Sequence, residues 1–247
     1  MTGGRVTSIW RHPIKSHGRE ALDAISLIKG QTMPGDRVWG VAHDRSDVDG
    51  SAWASCRNFS RCSEAPSLQA IHAETHDDGR LTLRHPDLSP LTFDPETEPQ
   101  AIIDWAGTLI PPGKRPSARL VRAQAAGFTD SDFPSVTLCN SSSHRAVEQR
   151  AGQDLSIHRW RGNIWLEGLG PWEEFEWMDG EVQIGDAVFR VRERTDRCPT
   201  TMANPETGER DVDTLAALRH WGHMDFSVRA EVIQSGTLRV GDGVSLL

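Results

Sequence analysis

The sequence predicts a mainly β fold with a few helices, an α+β arrangement in which strands dominate. Short strand-like runs separated by Gly, Pro and Asp turns recur along the 247 residues. The segments "IGDAV" at 184–188 and "VGDGV" at 240–244 both place a tight Gly-Asp turn before a strand, which is typical of a closed or nearly closed barrel. No G-x-G-x-x-G motif, P-loop or βαβ rhythm is present, so nucleotide-binding folds are disfavoured.

The first ninety residues contain several predicted strands. "RVTSIWRH" at 5–12 alternates polar and apolar residues and stops at Pro13, and "EALDAISLI" at 20–28 is a second candidate. "MPGDRVWGVAHD" at 33–44 reads as a turn followed by a strand. Residues 67–87 predict a hairpin with Asp78-Gly79 as its turn, and "LSPLTF" at 88–93 adds another strand.

The stretch 94–116 is rich in Pro and polar residues and predicts a domain boundary, with a short helix or strand around "AIIDWAG" at 101–107. Residues 134–152 predict a strand, a polar N-cap cluster at 140–143 and a helix that ends at Gly152. A strand is expected over 158–168 and another over 181–198. A helix over 211–221 is capped by Asp211 or Asp213, and strands follow from 225 to the end.

The bulk composition excludes several classes of protein. The net charge of −8 argues against general nucleic-acid binding. The N-terminus has no apolar secretory segment and no run approaches a transmembrane helix, so a cytoplasmic protein without a membrane partner is expected. None of the four cysteines forms a C-x-x-C pair, which indicates separate free thiols.

Cys198 is the first candidate for chemistry, because Arg192, Arg194 and Arg197 precede it. Nearby positive charge favours the thiolate, the form that attacks electrophiles and binds soft metals. The alternative is a thiol that is merely buried or exposed. Cys56 and Cys62 also have arginine neighbours, so adjacency to arginine alone does not single out Cys198.

Two further segments carry candidate binding residues. Lys15 and Ser16 lie where the first strand ends and suit a phosphate or another oxyanion, although this stretch taken alone favours an ordinary surface turn. Arg159, Arg161 and Asn163 alternate along a predicted strand and so share one face, which suits a planar heterocycle with a phosphate tail. Taken alone, this stretch favours the alternative, a strand face exposed to solvent. His220 and His223 are spaced for a metal on a helix, but no third ligand type stands nearby.

Six segments in order carry a resemblance to a known family. They are "SIWRHPIKSHG", "GDRVWGVAHD", "FPSVTLCNSSSHRAVEQRAG", "RWRGNIWLEG", "VQIGDAVFRVRERTDRCPTTMANPETGERD" and "GTLRVGDGVSLL". The most specific is "RCPTT" followed by "NPETGE". Together they resemble the MOSC family, named for the C-terminal domain of molybdenum-cofactor sulfurases, in the subgroup that has an added N-terminal β-barrel domain. The resemblance covers nearly the whole chain, and the chain is similar to the mitochondrial amidoxime-reducing components and their bacterial relatives.

This resemblance implies a smaller β-barrel-like domain over 1–110 and a MOSC β-barrel over 111–247, with the site between them. It implies the pterin form of the molybdenum cofactor, with Cys198 as the protein sulfur on molybdenum. The remaining cofactor-binding positions implied by the match are Lys15, Ser16, Arg37, Ser142, Arg161 and Asn163. Pyridoxal phosphate binding is a further association that the resemblance implies.

The expected function is a molybdenum-dependent reductase that acts on small N-hydroxylated or related N–O substrates. The sequence has no flavin, haem or iron–sulfur motif, so a separate electron-transfer protein is the expected partner. The alternative is a carrier that stores or delivers the cofactor or sulfur through Cys198 without turnover. A third possibility is a degenerate domain that holds no cofactor.

Overall fold

The computed structural model describes residues 3–247, which form sixteen strands and three α-helices. The elements in order are β1 (Arg5–Arg11), β2 (Ile14–Lys15), β3 (Glu20–Leu22), β4 (Ala24–Leu27), β5 (Trp39–His43), β6 (His72–Thr75), β7 (Leu81–His85), β8 (Leu88–Phe93), α1 (Pro99–Gly107), β9 (Ser117–Arg122), β10 (Val136–Asn140), α2 (Ser141–Ala151), β11 (Ile164–Glu167), β12 (Glu181–Ile184), β13 (Ala187–Asp196), α3 (Thr214–Arg219), β14 (Asp225–Gln234), β15 (Gly236–Arg239) and β16 (Val244–Leu246). The predicted mainly β fold is confirmed. Within 3–247, no helix combines the length and apolar character that crossing a membrane requires.

The largest layer is a curled sheet that forms a half-barrel. Its eight strands lie in the order β16-β12-β13-β14-β10-β11-β1-β3. Strand β11 runs parallel to β10 and antiparallel to β1, so Ile164 lies between Leu138 and Ile9. These three side chains are buried in the main apolar core, as the alternation of inward and outward residues along the strands requires.

The first half of the chain forms two smaller sheets around a second core. Strands β2, β5 and β9 form one sheet, and β6, β7 and β8 form the other. Helix α1 packs its buried Ile102 and Ala106 into this core beside Leu83 and Phe93. The predicted hairpin is confirmed, because β6 and β7 pair across the Asp78-Gly79 turn.

Strand pairing also connects the two halves of the chain. Strands β1 and β3 belong to the large sheet with strands from the second half, and β4 pairs with β15. Strand β9, beyond residue 110, pairs with β5. The division of the chain at residue 110 stays a prediction.

Local capping explains the two predicted helices of the second half. Asn140 caps α2 by accepting a hydrogen bond from the Ser142 amide, and Gly152 ends it in the left-handed conformation. Asp213, one of the two predicted caps, accepts a hydrogen bond from the Ala216 amide at the start of α3.

The strand predicted over 158–168 is wrong in its first half. Residues Ile157–Trp160 form a 3-10 helix, which begins where the Ser156 hydroxyl accepts a hydrogen bond from the His158 amide. Arg161 then adopts a left-handed backbone with φ of 48°, and β11 begins only at Ile164. A serine cap therefore outweighs the alternation of side chains that predicts a strand here.

Candidate functional site

A cavity of about 400 Å³ lies where segments from the two halves of the chain meet. Six of the seven predicted site residues line it, namely Lys15, Ser16, Arg37, Arg161, Asn163 and Cys198. They come from positions more than 180 residues apart, so the tertiary fold and not the local sequence brings them together. Ser142 does not line this cavity.

The cavity is cationic although the whole chain carries a net charge of −8. Seven basic side chains line it and only three carboxylates do. The basic residues are Lys15, Arg37, Arg61, Arg159, Arg161, Arg197 and Arg229, and the acidic residues are Glu64, Asp130 and Asp196. Such a cavity favours an anionic ligand, because clustered cations in a partly enclosed space concentrate positive potential.

The backbone is strained around the cavity. Ser16, Arg37 and Arg161 have φ angles of 65°, 53° and 48°, in the left-handed region that non-glycine residues seldom adopt. Hydrogen bonds from the Arg37 amide to the His12 carbonyl and from the Arg161 amide to the His158 carbonyl hold two of these turns. Strain of this kind clusters at functional sites, which supports a binding role for the cavity.

Lys15 and Arg37 are fixed by partners on either side. The buried Lys15 ammonium donates to the Phe128 carbonyl at 2.7 Å and to the Asp130 carboxylate at 2.5 Å, which leaves one of its three N–H groups for a ligand. The Arg37 guanidinium is paired with the buried Asp36 carboxylate and donates to the Arg161 carbonyl at 2.9 Å. Asp36 therefore positions Arg37, which in turn supports the Arg161 turn.

Arg161 and Arg197 have no carboxylate within salt-bridge distance among residues 3–247. The Arg161 guanidinium donates one long bond, 3.3 Å, to the Gly18 carbonyl, whereas Arg197 donates to the carbonyls of Trp160 and Phe226. Burial lowers the pKa of Arg161, and it lowers the pKa of Arg197 to about 10. Both groups stay cationic at neutral pH, and the spare N–H groups of Arg161 are open to an anion.

Cys198 follows the end of β13, and its thiol is exposed at the cavity wall, 3.3 Å from the Thr200 hydroxyl. The three arginines that precede it diverge. Arg192 pairs with Glu231, Arg194 lies over the Phe175 ring, and only Arg197 lines the cavity. Two of the three arginines that precede the thiol therefore lie outside the cavity lining, and most of the positive charge of the cavity comes from distant segments.

The other three cysteines have different surroundings. Cys56 also lines the cavity, 3.9 Å from the Arg61 guanidinium. Cys62 is buried and donates to the Ser16 carbonyl at 3.2 Å, and burial raises the pKa of its thiol. Cys139 is buried in the second half, where burial raises the pKa of its thiol to about 12. Within the described residues all four thiols are free, as predicted.

Asn163 and Gly162 hold the loop that carries Arg161. The buried Asn163 amide accepts from the Thr137 amide at 3.1 Å and donates to the Trp10 carbonyl at 3.1 Å, so it ties β10 to β1. A Cβ atom on Gly162 would lie 2.1 Å from the Cys139 sulfur, so only glycine fits between the two. Asn163 therefore lines the cavity, but its side-chain amide holds neighbouring strands together.

At the start of α2, where the resemblance places Ser142, the polar side chains already hydrogen-bond to other protein groups. The Asn140 amide and the Ser143 hydroxyl both donate to the buried Glu174 carboxylate, and burial raises the pKa of Glu174. The Ser142 hydroxyl accepts from Arg145 at 2.8 Å. The structure thus places Ser142 in a helix-capping cluster away from the cavity, and its contact with a cofactor stays a prediction.

Sequence reasoning missed Asp36 and Asp130, which hold Arg37 and Lys15, and the buried threonine Thr195 in the cavity wall. The signal for Asp36 was its adjacency to Arg37, whereas Asp130 and Thr195 have no local signal. His223 packs edge-on against Trp172, and residues 3–247 contain no group of three or more His, Cys, Asp or Glu side chains placed for a metal ion. The His220 and His223 pair is therefore not part of such a site.

Two family models match this sequence. The model of the MOSC N-terminal beta barrel domain matches residues 3–110, and the model of the MOSC domain matches residues 128–245. The molybdenum cofactor sulfurase of Drosophila grimshawi is 26% identical over 96% of this chain and 31% of its own length. That of Drosophila mojavensis is 30% identical over 44% of this chain and 12% of its own length.

The chain thus spans about a third or less of the curated relatives that it matches. Among solved structures, the YUAD protein from Bacillus subtilis is similar, with a TM-score of 0.48 and 11% identity over 98% of this chain and 93% of that one.

Proposed function

This chain belongs to the MOSC domain family in the form that carries the N-terminal β-barrel domain, and from that premise we propose that it binds the molybdenum cofactor in the cavity that Cys198 lines. The observation that carries the proposal is the presence, in one cavity, of an exposed thiol and of two arginines, Arg161 and Arg197, that have no carboxylate within salt-bridge distance among residues 3–247. A thiolate suits a soft, high-valent metal, and arginine and lysine suit a phosphate.

The donor set fits such a ligand. Cys198 offers a sulfur to molybdenum, while Arg161 and the third N–H of Lys15 offer hydrogen bonds to a phosphate. The strained turns at Arg37 and Arg161 are already fixed by protein hydrogen bonds, so these two groups are placed before a ligand arrives. Placement in advance lowers the entropy cost of binding.

The reaction we propose is the two-electron reduction of small N-hydroxylated or related N–O compounds. When bound, the cofactor supplies the redox chemistry, and the chain binds and orients it. Cys198 would hold the metal, and the basic wall would hold the anionic part of the cofactor and keep its position. Electrons come from a separate redox protein, since the sequence contains no flavin, haem or iron–sulfur motif.

The test is the metal and pterin content of the purified protein. Protein from a host that makes the cofactor should carry about one molybdenum and one pterin per chain, and protein from a host that lacks pterin synthesis should carry neither. With a strong artificial reductant, the loaded protein should turn over a hydroxylamine or an amidoxime many times. Equal metal content from the two hosts, or zinc in place of molybdenum, would count against cofactor binding.

A second function, cofactor or sulfur carriage without turnover, is favoured by the name that the relatives share, molybdenum cofactor sulfurase. A carrier should transfer its cofactor to an empty molybdoenzyme and leave the N–O substrate unchanged. Transfer without turnover rejects the reductase, and turnover rejects carriage as the main role. Pyridoxal phosphate binding, a cytoplasmic location and the absence of nucleic-acid or membrane partners stay predictions of the sequence.

A further inference from the structure

The cavity wall contains a buried hydroxyl that the protein leaves unpaired. Thr195 is 5% exposed, and its Oγ1 atom has no hydrogen-bond partner among residues 3–247. An unsatisfied buried polar group costs about 1–3 kcal/mol, so native structures seldom keep one without a reason. Thr195 lines the same cavity as Cys198, which lies three residues further along the chain.

The neighbouring threonine shows that a missing partner is not a general property of this region. Thr201 also lines the cavity and is 2% exposed. Its hydroxyl lies 3.2 Å from the Cys198 carbonyl and 2.6 Å from the Thr214 hydroxyl, so the protein satisfies it. The Thr201 hydroxyl is thus used within the protein, whereas the hydroxyl of the similarly buried Thr195 is not.

Strand pairing at Thr195 is irregular. On β13, Arg194 pairs with Val228 and Asp196 pairs with Asp225, so two residues of β14 stand opposite Thr195. One of these is Ser227, whose φ angle of 70° is left-handed and whose hydroxyl is taken by the Arg197 guanidinium at 2.6 Å. Bulges of this kind re-aim side chains and occur preferentially beside binding sites.

We propose that Thr195 is a further ligand-contacting residue of the cavity, whose hydroxyl hydrogen-bonds the bound molybdenum cofactor close to Cys198. The inference rests on the proposed function, since it takes the cofactor as the ligand. It explains why the hydroxyl is buried without a partner: the partner is supplied by the ligand. Arg159, which is 2% exposed and also lines the cavity, has an unpaired Nε in the same wall and is consistent with a ligand that completes it.

The test compares Thr195→Val, Thr195→Ser and Thr201→Val, each purified with and without the cofactor. Valine has the shape of threonine but lacks its hydroxyl. In cofactor-free protein, Thr195→Val should leave the urea midpoint unchanged or raise it, because an unpaired hydroxyl is removed, whereas Thr201→Val should lower it. In loaded protein, Thr195→Val should lose its pterin about three- to tenfold faster after dilution, which is the effect of one net hydrogen bond. Thr195→Ser should lose it as slowly as the wild type.

Two results would overturn the assignment. A lowered urea midpoint in cofactor-free Thr195→Val would mean that the hydroxyl has a partner within the protein. A wild-type rate of pterin loss in loaded Thr195→Val would mean that the ligand does not use the hydroxyl. Failure of the proposed function gives a different result. The wild-type protein itself would then contain no pterin, and the proposed contact of Thr195 with the cofactor would be rejected as well.

Discussion

Replacing Gly162 with alanine tests how tightly the Arg161 loop is packed. The added Cβ would lie 2.1 Å from the Cys139 sulfur and 3.6 Å from the Cys139 Cβ. Ordinary contacts are about 3.5–4.0 Å, so the sulfur atom alone causes the collision. Cys139 is fully buried on β10 and cannot swing into solvent, so the loop or the strand has to move. Overpacking of this kind costs about 1–3 kcal/mol.

The same geometry predicts a compensating change. Cys139→Ala removes the sulfur and by itself should cost about 1 kcal/mol, as for one buried methyl group. In the double variant, the methyl group introduced by Gly162→Ala fills the space that the sulfur leaves, and the Cβ–Cβ distance of 3.6 Å is an ordinary contact. The double variant should therefore be close to the wild type in stability, with a coupling free energy of about 1–3 kcal/mol between the two positions.

The assay is urea unfolding of the four proteins of this cycle, followed by pterin content after expression in a cofactor-competent host. Gly162→Ala should lower both stability and pterin content, because Arg161 and Asn163 flank the position. Cys139→Ala should restore both in the double variant. Stability of Gly162→Ala within about 0.5 kcal/mol of the wild type, or no recovery in the double variant, would refute the packing argument.

Three further predictions concern the thiol, the basic wall and pH. Cys198→Ser should reduce turnover to background in a folded protein, because a serine hydroxyl stays protonated at neutral pH and cannot replace a thiolate on the metal. Cys56→Ser should keep most of the turnover. The reverse pattern in a turnover assay would exclude Cys198 as the metal ligand. Arg161→Gln should speed pterin loss about ten- to hundredfold, the effect of a charge-assisted hydrogen bond. Arg192→Gln, which removes a charge outside the cavity that contacts Glu231 and the Phe133 ring, should leave the rate unchanged. Burial lowers the pKa of His17 from 6.5 to about 4. As the pH falls from 6.5 to about 4, His17 is therefore protonated in the unfolded chain but not in the folded protein, and the free energy of unfolding should fall by about 3 kcal/mol. His17→Asn, which keeps a donor for the Lys15 carbonyl, should flatten this part of a stability–pH profile, and an unchanged profile would contradict it.

Elements set by local chemistry were predictable from the sequence. Helix α2 begins and ends where its Asn140 cap and Gly152 indicate, and the Asp78-Gly79 hairpin forms as expected. These features depend on hydrogen bonds between residues a few positions apart, which a sequence displays directly. Local sequence also indicates Cys198 and Lys15 as candidates, but only the resemblance places them in one site.

The surroundings of Cys198 were not predictable from adjacency. Along β13 the side chains alternate, so Arg192 and Arg194 lie on the face opposite the buried Thr195. Because side chains alternate along the strand, Arg192 and Arg194 point away from the site, whereas Thr195 is buried. Arg161 and Lys15 line the same cavity as the thiol only because of long-range pairing of strands, which no local pattern encodes.

The interleaved strand order sets how far synthesis has to proceed before the cavity can form. Strand β1 has to wait for β11, and β4 has to wait for β15, which the ribosome completes only at Arg239. Strand β1 can pair early with β3, but at about 5–20 residues per second β4 lacks its partner for roughly ten seconds or more while the rest is made. The cavity lining extends to Arg229 on β14, so the cavity can form only after that strand has been made.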